Sequence, residues 1–168
     1  GGFNGTETAL EQRDWRVNIT TLSGDVLGDD DIGGTTNDNT LIVNASGVLA
    51  SAVLDGFTLR SGNGPQGGAM RCVASPTVRN CTFFRNLGAN GCAVFVGSGP
   101  SVTPRFTNCT FVRNGTLFGN TTTIFQMEAT GGEARLVGCH FVANNANFNG
   151  VVHARMGSTI MVNCSVVA

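Results

Sequence analysis

A pattern of apolar and polar positions recurs along the chain and is most regular around the cysteines. In its fullest form, at 78–86, an apolar residue is followed by a polar one and then by Asn, Cys, Thr and Phe. The five copies occupy 54–59, 78–86, 106–114, 136–144 and 161–166. After the Asn or Gly of each copy, apolar and polar residues alternate, which predicts a strand with one buried face.

When the five copies are aligned, each has an Asn or a Gly at the same position, between two positions (columns) that are apolar in every copy. These anchors are Gly56, Asn80, Asn108, Gly138 and Asn163, which lie 24, 28, 30 and 25 residues apart. Asn and Gly tolerate the left-handed backbone region, so a sharp corner is expected at each anchor. A repeat of roughly 20 to 50 residues is typical of a solenoid.

We therefore predict an all-β fold, namely a right-handed parallel β-helix (a β-solenoid) of about five to six coils. Like residues of successive coils would then stack at about 4.8 Å. The 24 Gly residues and the scarcity of apolar residues at helical spacing argue against a helical repeat. A β-sandwich or barrel is the alternative, but its strands would not need the same residues at equivalent places.

The sequence indicates a single domain over 1–168. Within it, 1–23 form an N-terminal cap and a first strand, and 54–168 form the repeated coils. Thr8 and Glu11 fit a capping box and predict a short N-terminal capping helix.

This cap would place Leu10 and Trp15 over the open end of the core, because a first coil otherwise exposes apolar side chains and strand edges. The segments 61–68, 97–104 and 144–150 are rich in Gly, Asn, Ser and Pro and are expected to be loops at one side of the coils. Binding residues are often carried by such loops.

Charge is sparse, which narrows the classes of partner. Charged residues make up 12% of the chain and the net charge is −1, so neither nucleic acid nor an acidic membrane surface is indicated. No apolar run approaches about 18 residues, so we expect no membrane span. Arg60, Arg85 and Arg113 follow or flank one apolar column on successive coils. They could form a stripe that binds acidic sugars or another subunit, or they could be solvated charges.

Two short motifs give the chain a family resemblance. Gly-Gly-Ala-Met at 67–70, followed by Phe-Phe-Arg-Asn at 83–86, resembles the paired GGA[ILV] and FxxN repeat of bacterial polymorphic outer membrane proteins. The opening residues 1–15, with Leu-Ser-Gly-Asp at 22–25, resemble the lead-in of many secreted right-handed parallel β-helix proteins. The resemblance implies a surface or extracellular solenoid with an adhesive or structural role.

Four cysteines share one inward position of the repeat, namely Cys81, Cys109, Cys139 and Cys164. Stacked residues keep their Cβ atoms about 4.8 Å apart, beyond the roughly 3.5 to 4.5 Å of a disulfide. A straight column also lacks the convergence that tetrahedral Zn²⁺ needs. We expect a buried column of thiols and no metal there. Cys72 and Cys92 lie outside the column and could form a disulfide in an oxidising compartment.

The acidic loop at 24–39 is the one candidate for a bound cation. Asp25, Asp29, Asp30 and Asp31 could gather around Ca²⁺, which prefers carboxylate oxygens. Their spacing departs from the Asp-x-Asp-x-Asp-Gly pattern, and no bidentate Glu follows. A solvated acidic loop is the simpler interpretation, so we expect no cofactor other than N-linked glycans.

Asn-x-Ser/Thr sequons are more frequent than the composition explains. Eight are present, whereas about three would be expected from the Asn, Ser and Thr contents. The excess predicts an N-glycosylated secreted surface, with Asn4, Asn114 and Asn120 as the best acceptors. The eight candidates are Asn4, Asn18, Asn44, Asn80, Asn108, Asn114, Asn120 and Asn163. At Asn80, Asn108 and Asn163 the repeat itself requires Asn, which could stay bare.

Within the repeats the acidic residues are Asp55, Glu128 and Glu133, and Asp55 belongs to a different coil from the others. Hydrolysis of a glycoside needs two carboxylates flanking one bond, and this spacing does not predict such a pair. We therefore expect a non-enzymatic extracellular solenoid that is structural or adhesive and self-associates into a fibre or surface layer. A carbohydrate-binding or polysaccharide-cleaving β-helix is the alternative.

Overall fold

A computed structural model of the chain describes residues 1–25, 40–44, 46–97, 99, 101–115, 123–146 and 149–167. Within these residues the strands form three long sheets, which we call A, B and C, and a two-stranded sheet D. Every strand pair in them is parallel. The predicted all-β solenoid is therefore confirmed.

Each coil supplies one strand to sheet B, then one to C, then one to A. Sheet B contains β2 (Ile42–Val43), β6 (Met70–Cys72), β10 (Val94–Val96), β13 (Phe125–Met127) and β16 (Val152–Ala154). Sheet C contains β3 (Val53–Asp55), β7 (Thr77–Arg79), β11 (Arg105–Thr107), β14 (Glu133–Val137) and β17 (Ser158–Val162). Sheet A contains β1 (Thr20–Ser23), β4 (Phe57–Arg60), β8 (Thr82–Phe84), β12 (Thr110–Val112), β15 (His140–Val142) and β18 (Ser165–Val167).

Sheet D joins β5 (Asn63–Gln66) to β9 (Leu87–Asn90). The segment 61–68 was expected to be a loop, so this pairing is a correction. After β1, the chain passes through sheets B, C and A five times, with one corner between sheets C and A in each pass. Five successive corners enclose about four complete turns, so the solenoid has fewer turns than the predicted five to six coils.

The predicted corners between sheets C and A are confirmed. The five anchors have positive φ angles of 74°, 54°, 51°, 62° and 51° at Gly56, Asn80, Asn108, Gly138 and Asn163. A second left-handed corner follows sheet A, at Ser61, Arg85, Arg113 and Ala143, with φ between 48° and 56°. Because these four residues are neither Gly nor Asn, their types gave no sign of the second corner.

Like residues stack inside the coils in the order that the repeat predicts. The rings of Phe83, Phe111 and Phe141 lie parallel, with centroids 4.6 and 4.5 Å apart. Phe125 of sheet B meets Phe106 of sheet C edge-on, with 5.2 Å between ring centroids. All five residues are buried. Offset-stacked and edge-on rings of this kind stabilise a core beyond the area that they bury.

The Asn residues of the FxxN motif form a hydrogen-bonded ladder behind sheet A. The side-chain oxygen of Asn114 accepts bonds from the backbone and side-chain nitrogens of Asn86, at 3.0 and 2.9 Å. Its amide nitrogen donates to the Phe83 carbonyl at 2.8 Å and to the Asn144 side chain at 3.0 Å. The ladder satisfies buried polar groups that a corner would otherwise leave without partners.

The N-terminal cap is a single turn of 3₁₀ helix over Leu10–Gln12. Gln12, rather than Glu11, makes the capping bonds, since its side-chain oxygen accepts from the backbone nitrogens of Thr8 and Ala9. Leu10 is 56% exposed, so the expectation that it covers the core is wrong.

Trp15 lies against the first corner, where a Cβ on Gly56 would come within 3.0 Å of the Trp15 Cβ. A largely buried ion pair between Arg13 and Asp55, with side chains 9% and 11% exposed, holds this part of the cap to the coils. Arg79 and Asn80 also donate to the Asp55 carboxylate, at 2.6 and 2.9 Å. Burial opposes ionisation of Asp55, but these hydrogen bonds outweigh it and lower the pKa of the carboxyl.

Candidate functional site

A groove of about 620 Å³ runs along the outer face of sheet A, parallel to the solenoid axis. It extends from Thr58 to His140 and so crosses four coils, a length of about 14 Å at the spacing of parallel strands. Its floor is built by the repeat, because alternate residues of each strand point outward and equivalent residues lie side by side.

Two polar rows run along this floor. The first is the outward row of sheet A, in which Thr58, Thr82, Thr110 and His140 are directly paired. The second is the corner row of Asn80, Asn108 and Gly138, where the left-handed backbone turns each amide out of the core. Each of the middle coils therefore presents one hydroxyl and one amide at the same level.

Apolar surface completes the groove. Phe84 lies on the outer side of β8, next to the hydroxyl row, and is half-buried. At the N-terminal end, Trp15, Arg16 and Ile19 form a wall. The Arg13 and Arg16 guanidinium groups lie 5.7 and 5.1 Å from the Trp15 ring centroid, and these cation–π contacts orient the indole. Ile19 is 63% exposed beside it.

The described lining of the groove carries a single formal positive charge, on Arg16. Arg16 stands at one end and His140 at the other, and none of the described lining residues is acidic. The His140 ring nitrogen Nδ1 is 2.8 Å from the Ser165 hydroxyl of the next coil. Arg85 and Arg113 occupy the second corner at the border of sheet A. The lining therefore offers hydroxyls, amides, an indole and a guanidinium, which can hydrogen-bond to or pack against a ligand.

The cysteine column is present as predicted. Cys81, Cys109, Cys139 and Cys164 are free thiols at successive levels of the core. Each thiol donates to a carbonyl of the preceding coil, as Cys109 does to Val78 at 3.7 Å. Burial raises the pKa of Cys81 and of Cys109. For these two thiols the raised pKa favours the protonated form, which suits a structural role.

The possible disulfide between Cys72 and Cys92 is not formed in the structure, where both thiols are free and buried. The register shows why. Cys72 pairs with Val96, whereas Cys92 lies level with Gly68, whose backbone nitrogen donates to the Cys92 carbonyl. The two cysteines are thus offset by four register positions, and the pairing of the coils does not bring their thiols together. Burial raises the pKa of Cys72 to about 12.

The acidic loop lies mostly outside the described residues. Asp29, Asp30 and Asp31 belong to the part that the structure does not describe, and Asp25 is at its border. Among the described residues, no group of three or more His, Cys, Asp or Glu side chains could hold a metal ion. The Ca²⁺ candidate therefore stays a sequence-based expectation.

The sequons fall into distinct environments. Asn114 is fully buried with both ends of its amide bonded, so the folded chain leaves no room for a glycan and the expectation for this site is wrong. The amide nitrogen of Asn44 is also buried. The Asn80 amide donates to Asp55, and that of Asn18 donates to the Gly2 carbonyl at 3.5 Å.

Three described sequons remain open to solvent, at Asn4, Asn108 and Asn163. Asn120 lies outside the described residues. Asn108 is part of the groove floor, so a glycan there would fill the groove. A glycosylated Asn108 and an occupied groove therefore exclude each other.

The Glu128 carboxylate is engaged away from the groove. Glu128, beyond the end of β13, accepts from Gln126 at 2.5 Å and pairs with Arg155 at 3.3 Å. His153 lies on sheet B, on the level next to Gln126. Neither Glu128 nor Asp55 faces the groove described above.

The wall of the groove was not anticipated from the sequence. Trp15 was expected only to cover the core, and the repeat gives no information about the cap that carries it. The sole Trp of the chain, next to Arg16 and outside the repeated columns, was the available signal. Carbohydrate-binding surfaces commonly use such a half-exposed aromatic residue, because one face of its ring is apolar.

No helix in the described part of the chain has the length and apolar character needed to cross a bilayer. A scan against known protein-family models found no match to this chain, and searches of curated proteins and of solved structures found no significant similarity.

Proposed function

We propose that this chain is a non-enzymatic extracellular β-solenoid with a structural or adhesive role, and that the groove on sheet A is its adhesive surface. The observation that carries the proposal is the continuous double row of hydroxyls and amides across the coils. A rigid ladder of this kind matches a repeating ligand without the entropy cost of ordering loops.

A non-enzymatic role is supported by the placement of the carboxylates. The Asp55 carboxylate forms ion pairs with Arg13 and Arg79. Its lowered pKa makes it a poor proton donor at neutral pH. Glu128 is paired with Arg155. The described lining of the groove contains no carboxylate, whereas glycoside hydrolysis typically uses a pair of them.

Self-association is the second part of the proposal. Strands β16, β17 and β18 pair on one side only within the described residues. Apolar side chains are exposed at this end, with Met161 at 40%, Val166 at 57% and Val167 at 53%. Unpaired edges with apolar side chains favour the addition of another coil, and a second copy of the chain would supply one.

N-linked glycans belong to this proposal at Asn4 and Asn163, which are exposed and lie outside the groove. Glycans there would leave sheet A open. Comparing the intact mass of the secreted chain before and after enzymatic deglycosylation measures this directly, and an unchanged mass would remove glycosylation from the proposal.

Adhesion and cleavage can be separated in one assay. The purified chain is incubated with a panel of insoluble extracellular polysaccharides, and both retained protein and released oligosaccharides are quantified. Retention without released products is expected. Products that increase with time would establish the polysaccharide-cleaving alternative instead, and failure to be retained on any surface would refute the adhesive role.

A further inference from the structure

We propose that the stacked thiols of the core form a binding site for a soft, two-coordinate metal ion of the Cu(I) class, held in line between the sulfur atoms of Cys139 and Cys164. This inference goes beyond the adhesive role and does not depend on it. It follows from the register of the cysteines, from the conformation that their side chains share, and from the position of this pair relative to solvent.

The cysteines stand above one another along the solenoid axis. In each coil the residue after the cysteine donates its backbone N–H to the carbonyl of the cysteine on the preceding coil, at 2.9 to 3.0 Å. The donors are Thr110, His140 and Ser165, and the acceptors are Cys81, Cys109 and Cys139. Because parallel strands joined in this way lie about 4.8 Å apart, consecutive cysteines are separated by one coil spacing.

The thiols of the column also share one side-chain conformation. Each lies near the same two carbonyl oxygens, one on the preceding coil and one two residues earlier in its own coil. For Cys139 the acceptors are Phe106 at 3.6 Å and Val137 at 3.7 Å. For Cys164 they are Leu136 and Val162, both at 3.4 Å. Equivalent surroundings place successive sulfur atoms about one coil spacing apart, roughly 4.8 Å.

This separation excludes a disulfide but suits a linear metal site. The sulfur atoms of a disulfide are only about 2.05 Å apart. A thiolate sulfur binds a d10 ion such as Zn²⁺ at about 2.3 Å, so two such bonds in a straight line span about 4.6 Å. Cu(I) is also a d10 ion, is selected by soft sulfur ligands, and accepts two of them on opposite sides.

The number of ligands distinguishes this site from a zinc site. Among the described residues, no group of three or more His, Cys, Asp or Glu side chains could hold a metal ion. A tetrahedral ion needs such a group, whereas a linear ion needs two ligands. The straightness of the column, which argues against Zn²⁺, is therefore the geometry that a two-coordinate ion requires.

Access to solvent singles out the pair formed by Cys139 and Cys164. Cys164, in the last described coil, is partly exposed, whereas Cys139 and the thiols before it are buried. The neighbouring Cys109 thiol lowers the pKa of Cys139. Metal ions bind the thiolate, so a lowered pKa favours binding at Cys139. An ion that enters beside Cys164 thus reaches a sulfur that is readily deprotonated.

The apolar surroundings determine the charge of the bound state. Leu136 and Phe141 belong to the same core cluster as Cys139, and an uncompensated charge is costly to bury there. Cu(I) takes the place of one thiol proton, which passes to the solvent. The ion then lies between one thiolate and one thiol, and the site stays uncharged. Neither copper nor sulfur changes its oxidation state in this exchange.

The test is a titration of the purified, reduced chain with Cu(I) in the absence of oxygen, in competition with a chromophoric Cu(I) chelator. Zn²⁺ is the comparison metal, and native mass spectrometry counts the ions bound. Cys139→Ala removes one ligand, and Cys139→Ser removes the sulfur but nearly keeps the size of the side chain. Cys72→Ala is the matched control, because Cys72 is buried but lies outside the column. Alkylation of Cys164 with and without Cu(I) locates the ion.

We expect the parent chain to bind Cu(I) with release of one proton per ion, and to bind Zn²⁺ at least about tenfold more weakly. Both Cys139 variants should weaken Cu(I) binding by at least about tenfold, whereas Cys72→Ala should stay within about twofold. Bound Cu(I) should slow the alkylation of Cys164 by at least about tenfold and leave that of Cys72 unchanged.

Four results would overturn the inference: no uptake of Cu(I) by the folded parent chain, equal or tighter binding of Zn²⁺, an equal loss in Cys72→Ala, or alkylation of Cys164 that Cu(I) does not slow. If Cys139→Ala fails to fold, Cys139→Ser and the protection of Cys164 in the parent chain still decide the question. The adhesive role is tested separately by retention on polysaccharides, which none of these results affects.

Discussion

The buried Asn ladder should be a main determinant of stability, and replacing its middle member tests this. Asn114→Leu keeps the approximate size of the side chain but removes every polar group. In the folded chain the Asn86 backbone nitrogen would lose its side-chain acceptor, and the Phe83 carbonyl would lose its side-chain donor. The Asn86 and Asn144 amides would each lose one bond as well.

The expected magnitude follows from counting the groups that are left without a partner. Each buried polar group deprived of its hydrogen bond costs about 1 to 3 kcal/mol. Asn86 and Asn114 are fully buried, so water cannot replace these bonds without opening the coil. With two such groups the free energy of unfolding should fall by about 3 to 5 kcal/mol. A domain is stabilised by only about 5 to 15 kcal/mol in total, so the loss is severe.

Urea unfolding followed by far-ultraviolet circular dichroism measures the change. The matched control is Asn90→Leu, because Asn90 is more exposed and its side chain makes a single bond of 3.3 Å to the Pro65 carbonyl. The control should lose about 1 kcal/mol or less. Because solenoids unfold coil by coil, the slope of the transition must be compared along with its midpoint. If both variants unfold within about 1 kcal/mol of each other, the ladder does not have the role argued for it.

Four further predictions concern the cap, the thiols, the core and the open end. Because the pKa of Asp55 is lowered, its ion pairs stabilise the cap fully at pH values above the ordinary Asp pKa of about 3.9. This stabilisation is lost as the pH falls through the pKa that Asp55 has in the folded chain. Trp15 fluorescence should report the release of the cap in that pH range, and Asp55→Asn should abolish the transition. Native alkylation at pH 8 should label the partly exposed Cys164 before Cys72, whose pKa is about 12, and similar labelling rates would contradict this. Phe111→Ala should cost about 3 to 5 kcal/mol in urea unfolding, whereas Val112→Ala on the outer side should cost about 1 kcal/mol. Val166→Asp should abolish concentration-dependent sedimentation if copies meet end to end, and a parent chain that stays monomeric at every concentration would refute that association.

The core and the corners between sheets C and A could be predicted because the same types of residue recur at equivalent positions of the repeat. A column such as Phe83, Phe111 and Phe141 repeats one residue type at a fixed place, and coil-to-coil stacking is the arrangement that explains such repetition. The corners at the Asn and Gly anchors could be predicted in the same way, since Asn and Gly are the residues that populate the left-handed region at low cost. The period of the pattern therefore determined the architecture.

Features that depend on neighbours rather than on residue type could not be predicted. Arg85 and Arg113 adopt a left-handed conformation that their type disfavours, and the Asn ladder directly after them stabilises it. Sheet D was missed because its strand at Asn63–Gln66 contains Gly and Pro, which are depleted in strands. The groove required the cap to fold back over coils more than 40 residues away, as the pairing of Arg13 with Asp55 shows.

The two ends of the groove are chemically different, and contacts between successive coils produce this difference. A Cβ at Gly138 would come within 2.7 Å of the Asn108 side-chain oxygen, so the Asn108 amide leans over the corner of the following coil, where Gly138 leaves room for it. On that same coil His140 replaces Thr, and its bond to Ser165 ends the threonine row. The two ends of the groove therefore differ, with an indole and a guanidinium at one and an imidazole at the other. A polymer with distinguishable ends would bind in one preferred orientation, because only one direction places its residues against matching groups.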